Sequence, residues 1–117
     1  MRRPRALVET TRRSRAGRSA RDRDTALARL VTRCADQDED ALELLYQRTS
    51  PWIHHLIRQR ATPRTDVDDM LVAVYAAVWH RAPSFDAMNR TALAWATSIA
   101  FEIMAAPSPR ERMIVTP

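Results

Sequence analysis

The chain has 117 residues, 45% of them hydrophobic, which suffices for one domain with a modest core and falls short of two. Its formal net charge is +5, and all 19 basic residues are arginine. No apolar run reaches the roughly 18 residues that a membrane span requires, the arginine-studded start lacks the apolar centre of a signal peptide, and the single Cys34 excludes an internal disulfide, so the expectation is a cytoplasmic protein with no membrane partner.

The charge is unevenly placed. Residues 1–23 hold nine arginines against Glu9 and Asp22, whereas residues 24–117 hold ten against twelve acids, so the basic excess belongs to the first segment alone. With Pro4, Gly17 and few apolar residues besides Leu7 and Val8, residues 1–23 bury too little surface to offset the entropy of ordering, which predicts a disordered Arg-rich tail. Such an arm can neutralise phosphates and release counterions. A solvated leader with no specific partner fits the same composition.

From Thr25 the period is helical. Leu27, Leu30, Val31 and Cys34 stand at i, i+3, i+4 and i+7, the stripe of one short amphipathic helix, which makes Cys34 a buried free thiol. Asp38 reads as an N-cap, and Glu39 and Asp40 suit the positive end of the helix that follows. That helix turns Ala41, Leu42, Leu45 and Tyr46 inward. Ser50-Pro51 interrupts it; because Trp52, Ile53, Leu56 and Ile57 resume the stripe at once, a kinked or restarted helix ending near Arg60 is expected.

Ala61-Thr-Pro-Arg64 is a turn, and Thr65 with Asp68 has the spacing of a capping box. The next helix, over 66–81, shows the strongest periodicity: Val67, Met70, Leu71, Val74, Tyr75, Val78 and Trp79 share one face. Residues 82–89 form a loop, and the apolar stretch RTALAWATSIAFEIMAAP, 90–107, is the last helix, closed by proline. No segment alternates with period two. The predicted fold is an all-α bundle of about four helices, organised as a tail (1–23), a helical domain (24–106) and a Pro-containing C-terminal tail (107–117).

Catalysis and metal binding lack residues to carry them. There is one glycine for a phosphate loop, no nucleophile with a base and an orienting partner, and no ligand-like spacing around His54, His55 or His80. A non-enzyme without cofactor or metal is expected.

The order of the remaining features carries a resemblance. DEDALELLYQRTSPWI (38–53), VDDMLVAVYAAVWHRAPSFD (67–86) and TALAWATSIA (91–100), behind a short first helix, resemble region 2 of the extracytoplasmic-function (ECF) group of sigma-70 factors. That group shows an acidic start and Leu-Tyr before Ser-Pro, a helix ending in Val-Trp, a Phe-Asp or Tyr-Asp loop, and Ala-Leu-Ala-Trp-Leu. The resemblance covers about residues 25–106.

The resemblance implies two sets of residues. The outer side of the third helix would meet the clamp coiled coil of core RNA polymerase through Asp68, Asp69, Val72, Ala73 and Ala76, with Trp79 matching the family's terminal tryptophan. The loop and last helix would meet the unpaired promoter −10 element through Ser84, Phe85, Asp86, Asn89, Arg90, Trp95, Thr97 and Ser98. Phe85 and Trp95 serve equally well as core, and Asp86 as a turn residue.

Departures from the family pattern leave a second reading open. Val72-Ala73 replace the usual Gln-Glu, Phe101-Glu102 replace Arg-Asn, Ala106 replaces an Asp, and Pro107 and Pro109 follow where arginines are expected. The chain stops where a linker and a −35-reading domain would begin, the pattern of a truncated or divergent factor. The two readings are a region 2 domain that binds polymerase and −10 DNA, and a pseudo-sigma module that docks on polymerase or an anti-sigma factor without reading promoters.

Overall fold

Helices α1 (Arg5–Ala35), α2 (Glu39–Arg60), α3 (Val67–Arg81) and α4 (Ala92–Ala105), with a 3-10 turn at Ala82–Ser84, make up the regular structure. The computed structural model describes residues 5–106, with side chains from Ser19 onward, and no strand occurs among the described residues. The all-α bundle of about four helices expected from periodicity is the observed architecture. Each of α2, α3 and α4 packs on the other two, and α1 lies against all three and against the 3-10 turn.

The core follows the apolar stripes. Leu30, Val31 and Cys34 of α1, Leu45, Ile53, Leu56 and Ile57 of α2, Leu71, Val74 and Val78 of α3, and Trp95 and Ile99 of α4 are buried in one cluster. Burial raises the Cys34 thiol above its usual range, with Asp38 adding to the shift and Arg33 opposing it.

Several boundaries differ from the sequence expectation, each for a local reason. Residues 19–23, expected to belong to the disordered tail, are helical and exposed: α1 continues upstream of its packed stripe, with Thr25 Oγ1 donating to the Arg21 carbonyl at 2.8 Å. The rest of that tail, and residues 107–117, lie outside the residues whose side chains are described. At Pro51 the helix does not restart. Proline costs α2 one backbone donor, but Pro51 is exposed and the buried residues Thr49 and Ile53 beside it hold the helix in the core, so one helix runs through.

The cap of α3 also shifts by one. Asp66, in an extended conformation, accepts the Asp69 N–H at 3.0 Å, while Thr65 turns its hydroxyl oxygen back to the Thr62 N–H at 3.0 Å and so cannot close a capping box with Asp68. At the start of α2 the expected cap forms, with Asp38 Oδ1 accepting from Asp40 and Ala41; at the start of α4, Thr91 Oγ1 accepts the Ala94 N–H at 3.1 Å, a cap the sequence reading did not assign. A guanidinium hydrogen bond from Arg33 holds the Asp38 carboxyl below the usual carboxylate range, against the opposing effect of burial.

Two aromatic residues assigned to the inward stripe of α2 face out. Tyr46 and Trp52 are both exposed, Trp52 at 44%, because the inward arc of α2 is filled by Ala41, Leu45, Thr49, Ile53, Leu56 and Ile57. Among the described residues no helix is long and apolar enough to cross a membrane, and no group of three or more His, Cys, Asp or Glu side chains could hold a metal ion.

Candidate polymerase and nucleic-acid surfaces

The turn of α3 that buries Leu71, Val74 and Val78 directs the opposite side of the helix outward. Asp68, Asp69, Val72, Ala73 and Ala76 are all exposed there, Val72 at 69%. Neither aspartate takes part in an ion pair among the described residues, so both carboxylates remain available at the start of an apolar strip. Trp79, at the far end, is half-buried and packed against the core. Five of the six residues assigned to polymerase binding therefore share one open surface, and Trp79 borders it.

The second set divides between the 82–91 segment and α4. The 3-10 turn is closed by Ser84 Oγ donating to the Arg81 carbonyl at 2.7 Å. Asp86 then organises the loop from within. Its Oδ1 accepts the Met88 N–H at 2.9 Å and its Oδ2 accepts from Asn89 Nδ2 at 2.7 Å, so its carboxylate is committed to the turn. Met88 stands at the tip, 92% exposed. Phe85 is half-buried on Trp95, with ring centroids 5.0 Å apart at 50°. Trp95 itself is only 8% exposed; it belongs to the core and supports Phe85 from below rather than offering a face to solvent.

On α4 the polar residues are joined in pairs. Arg90 Nη1 donates to Ser98 Oγ at 3.1 Å, and Ser98 in turn donates to the Trp95 carbonyl at 2.8 Å. Thr97 donates to the Leu93 carbonyl at 2.7 Å and accepts the indole N–H of Trp52 at 3.1 Å. The loop and α4 thus form one surface bearing Asn89, Arg90, Thr97 and Ser98. Arg90 is its cation, positioned by Ser98 rather than left to wander.

Four features of this surface escape a reading of the sequence. Trp52 joins it from α2, and its spacing, which matches the core stripe of that helix, hides this. Asp24 accepts the Ala92 N–H at 3.0 Å across 68 residues of sequence, a second cap for α4 that no local pattern announces. Arg81, on the last turn of α3, is ion-paired with Glu102, both of them exposed. The Arg60 guanidinium lies 4.4 Å over the Phe101 ring.

Residues 45–101 match the family model described as Sigma-70 region 2, which supports a sigma-70 region 2 domain over that stretch. It begins within α2, ends in α4 and contains every residue that the sequence assigned to the two candidate surfaces. No match was found among curated proteins or among solved structures.

Proposed function

We propose that this chain acts as a sigma factor region 2 domain that binds core RNA polymerase and contacts the promoter −10 element in transcription initiation. The carrying observation is that one matched stretch, residues 45–101, holds two separate open surfaces of the required chemistry. One is the acid-led apolar strip of α3; the other is the polar loop and α4, with Arg90 held at its edge. An exposed apolar strip bordered by carboxylates suits a basic, helical protein partner, here the clamp coiled coil. A surface with hydroxyls, an amide and a guanidinium suits an unpaired strand, whose phosphates and base edges are both reachable.

The finer assignment to the ECF group rests on the order of the acidic start, Leu45-Tyr46, Ser50-Pro51, Val78-Trp79 and Phe85-Asp86 in the sequence. A cytoplasmic location and an anti-sigma partner follow from the same assignment. One observation favours the pseudo-sigma reading: Glu102 places a carboxylate beside the DNA surface, where it opposes a polyanion. Arg81 offsets that charge by pairing with it.

Capture by core polymerase tests the function directly. The wild-type chain is expected to bind, and Asp69→Arg and Val72→Arg, both on exposed positions that the fold does not require, are expected to weaken capture. Failure of the wild type to bind refutes the reading, and equal capture of all three moves the interface away from α3.

A further inference from the structure

Trp52 is a partly exposed indole held in a fixed attitude. Its edge is tied to α4 through the 3.1 Å hydrogen bond to Thr97 Oγ1, and His55, one turn along α2, stacks on it with centroids 6.0 Å apart at 28°. It forms one wall of a shallow, open groove whose other wall is Leu93, Ala94, Thr97 and Phe101 of α4. No acidic residue lines that groove.

Three arginines stand near its lining residues. Arg48 stands one turn before Trp52 on the same exposed face of α2. Arg60 covers Phe101 at one end, and Arg90 is fixed on Ser98 at the other. Two acids stand nearby: Glu102, on the turn of α4 that carries Phe101, is paired with Arg81, and Asp24 accepts the Ala92 N–H beside Thr91. A flat aromatic platform with arginines on two of its lining residues and a third one turn from Trp52 matches a base with its flanking phosphates better than it matches an apolar helix, whose docking would carry a cost for desolvating those cations.

We propose that the groove between α2 and α4 holds one unpaired nucleobase of a DNA strand stacked on Trp52, with the neighbouring phosphates met by Arg48, Arg60 and Arg90. This rests on the reading of the domain as a contact for unpaired DNA and adds a base-holding position on α2, separate from the 84–90 loop. Thr97 gives the platform its orientation, and the polar rim of Thr91 and Ser98 is within the same groove.

The test uses the full chain and a fluorescein-labelled single-stranded oligonucleotide, together with a set of oligonucleotides that are abasic at one position at a time. Wild type is expected to lose roughly 5- to 150-fold in affinity at one abasic position. Trp52→Leu, which keeps apolar bulk and removes the π-face, is expected to bind the intact strand weaker by a similar factor and to be indifferent to that abasic position. Quenching of tryptophan fluorescence by the oligonucleotide gives a reading independent of the leucine variant: it should fall sharply in Trp52→Phe, which still binds. The proposal is overturned if wild type binds no single strand, if Trp52→Leu matches wild type on the intact strand or keeps the same abasic sensitivity, or if Trp52→Phe quenches as wild type does. Wild-type affinity in Trp52→Leu would point instead to an apolar protein segment in the groove. Polymerase capture through α3 is read separately, so loss of this proposal leaves the polymerase-binding reading standing or falling on its own result.

Discussion

The Tyr75 phenol and the Thr49 hydroxyl lie 2.6 Å apart in the core, joining α3 to α2. Thr49 donates its one proton to the Leu45 carbonyl at 2.7 Å, so the phenol is the donor in the Tyr75 pair. The two substitutions are therefore unequal. Thr49→Val leaves a buried O–H without an acceptor and should cost about 1 to 3 kcal/mol, whereas Tyr75→Phe leaves Thr49 bonded to Leu45 and should cost about 0.5 to 1.5 kcal/mol. Urea unfolding of both variants checks the order; a larger loss for Tyr75→Phe would contradict it.

The same phenol makes stability fall at high pH. Burial pushes Tyr75 up to about 12, with Tyr46 adding to the shift, while an unfolded tyrosine ionises near 10. Between these values the unfolded chain has lost the proton that the folded chain retains, so the contribution is complete below about pH 10 and is lost as pH rises through about 12. The expected loss is about 2 to 3 kcal/mol. In Tyr75→Phe this part of the alkaline decline should vanish, leaving the decline that the raised Cys34 thiol contributes. Melting temperatures measured from pH 8 upward would show two parallel curves if Tyr75 has no such role.

At the junction of α1 and α2, Gln37 has φ 67°, a left-handed conformation that favours glycine. The Gln37 N–H donates to the Cys34 carbonyl and the Asp38 N–H to the Arg33 carbonyl, each at 3.0 Å, the pattern of a helix closed by a left-handed residue. Gln37→Gly should therefore stabilise the domain by about 0.5 to 1 kcal/mol, the relief of strain exceeding the entropy added to the unfolded chain. Gln37→Val, β-branched, should destabilise it. Thermal melts that order these variants otherwise would show that the turn can relax.

The helices themselves are legible in the sequence because each has a stripe with the right period, and Asp38 announces the start of α2 by residue type alone. Trp52 is misread because the period identifies a face and not how far that face extends; a residue at its margin, flanked by the buried Thr49 and Ile53, looks the same in sequence whether in or out. Asp24 is invisible for another reason. Its partner, the Ala92 N–H, is joined to it only by the fold. Asp86 has two readings in sequence, and the geometry gives the turn role to both of its oxygens. Sequence places the loop residues near one another, but does not divide Phe85 and Trp95 into a half-buried ring and its support.

Glu102→Asn should strengthen binding to single-stranded −10 DNA, most at low salt, since it removes a carboxylate beside a polyanion and releases the Arg81 guanidinium. Both partners are exposed, so the stability cost should stay within about 1 kcal/mol. Adding Phe101→Arg is less clean than the charge alone suggests: it sets a guanidinium against Arg60 and removes a wall of the Trp52 groove. The single variant is expected to gain and the double variant to gain less than the sum of charges predicts. Fluorescence anisotropy at two salt concentrations measures both; no gain for Glu102→Asn would mean that α4 does not face the strand.

The Asp24–Ala92 hydrogen bond fixes where the basic stretch of α1 leaves the bundle: at the start of α4, close to Arg90 and Thr91 and next to the loop that closes on Asp86. Arg21 and Arg23, exposed on the adjoining turn, stand at that exit, and residues 1–18 add seven arginines against Glu9. If this stretch meets DNA, it meets the same strand that the loop and α4 hold. Deleting residues 1–18 should then lower affinity at low salt and reduce the slope of log K against log salt by about 0.7 for each single-strand phosphate left unneutralised, or about 0.9 on duplex. The deletion begins and ends upstream of every residue of the core cluster, so the melting temperature should hold. Asp24→Leu gives the complementary result. It removes the acceptor of a partly buried N–H at the first turn of α4, with an expected cost of about 1 to 2 kcal/mol and a fall of several degrees in melting temperature, while leaving every arginine in place. A deletion that leaves the salt slope unchanged would make the arginines a solvated leader; a slope that changes as much in Asp24→Leu as in the deletion would mean that the exit point at Ala92, more than the charge of the arm, sets how α1 reaches the strand.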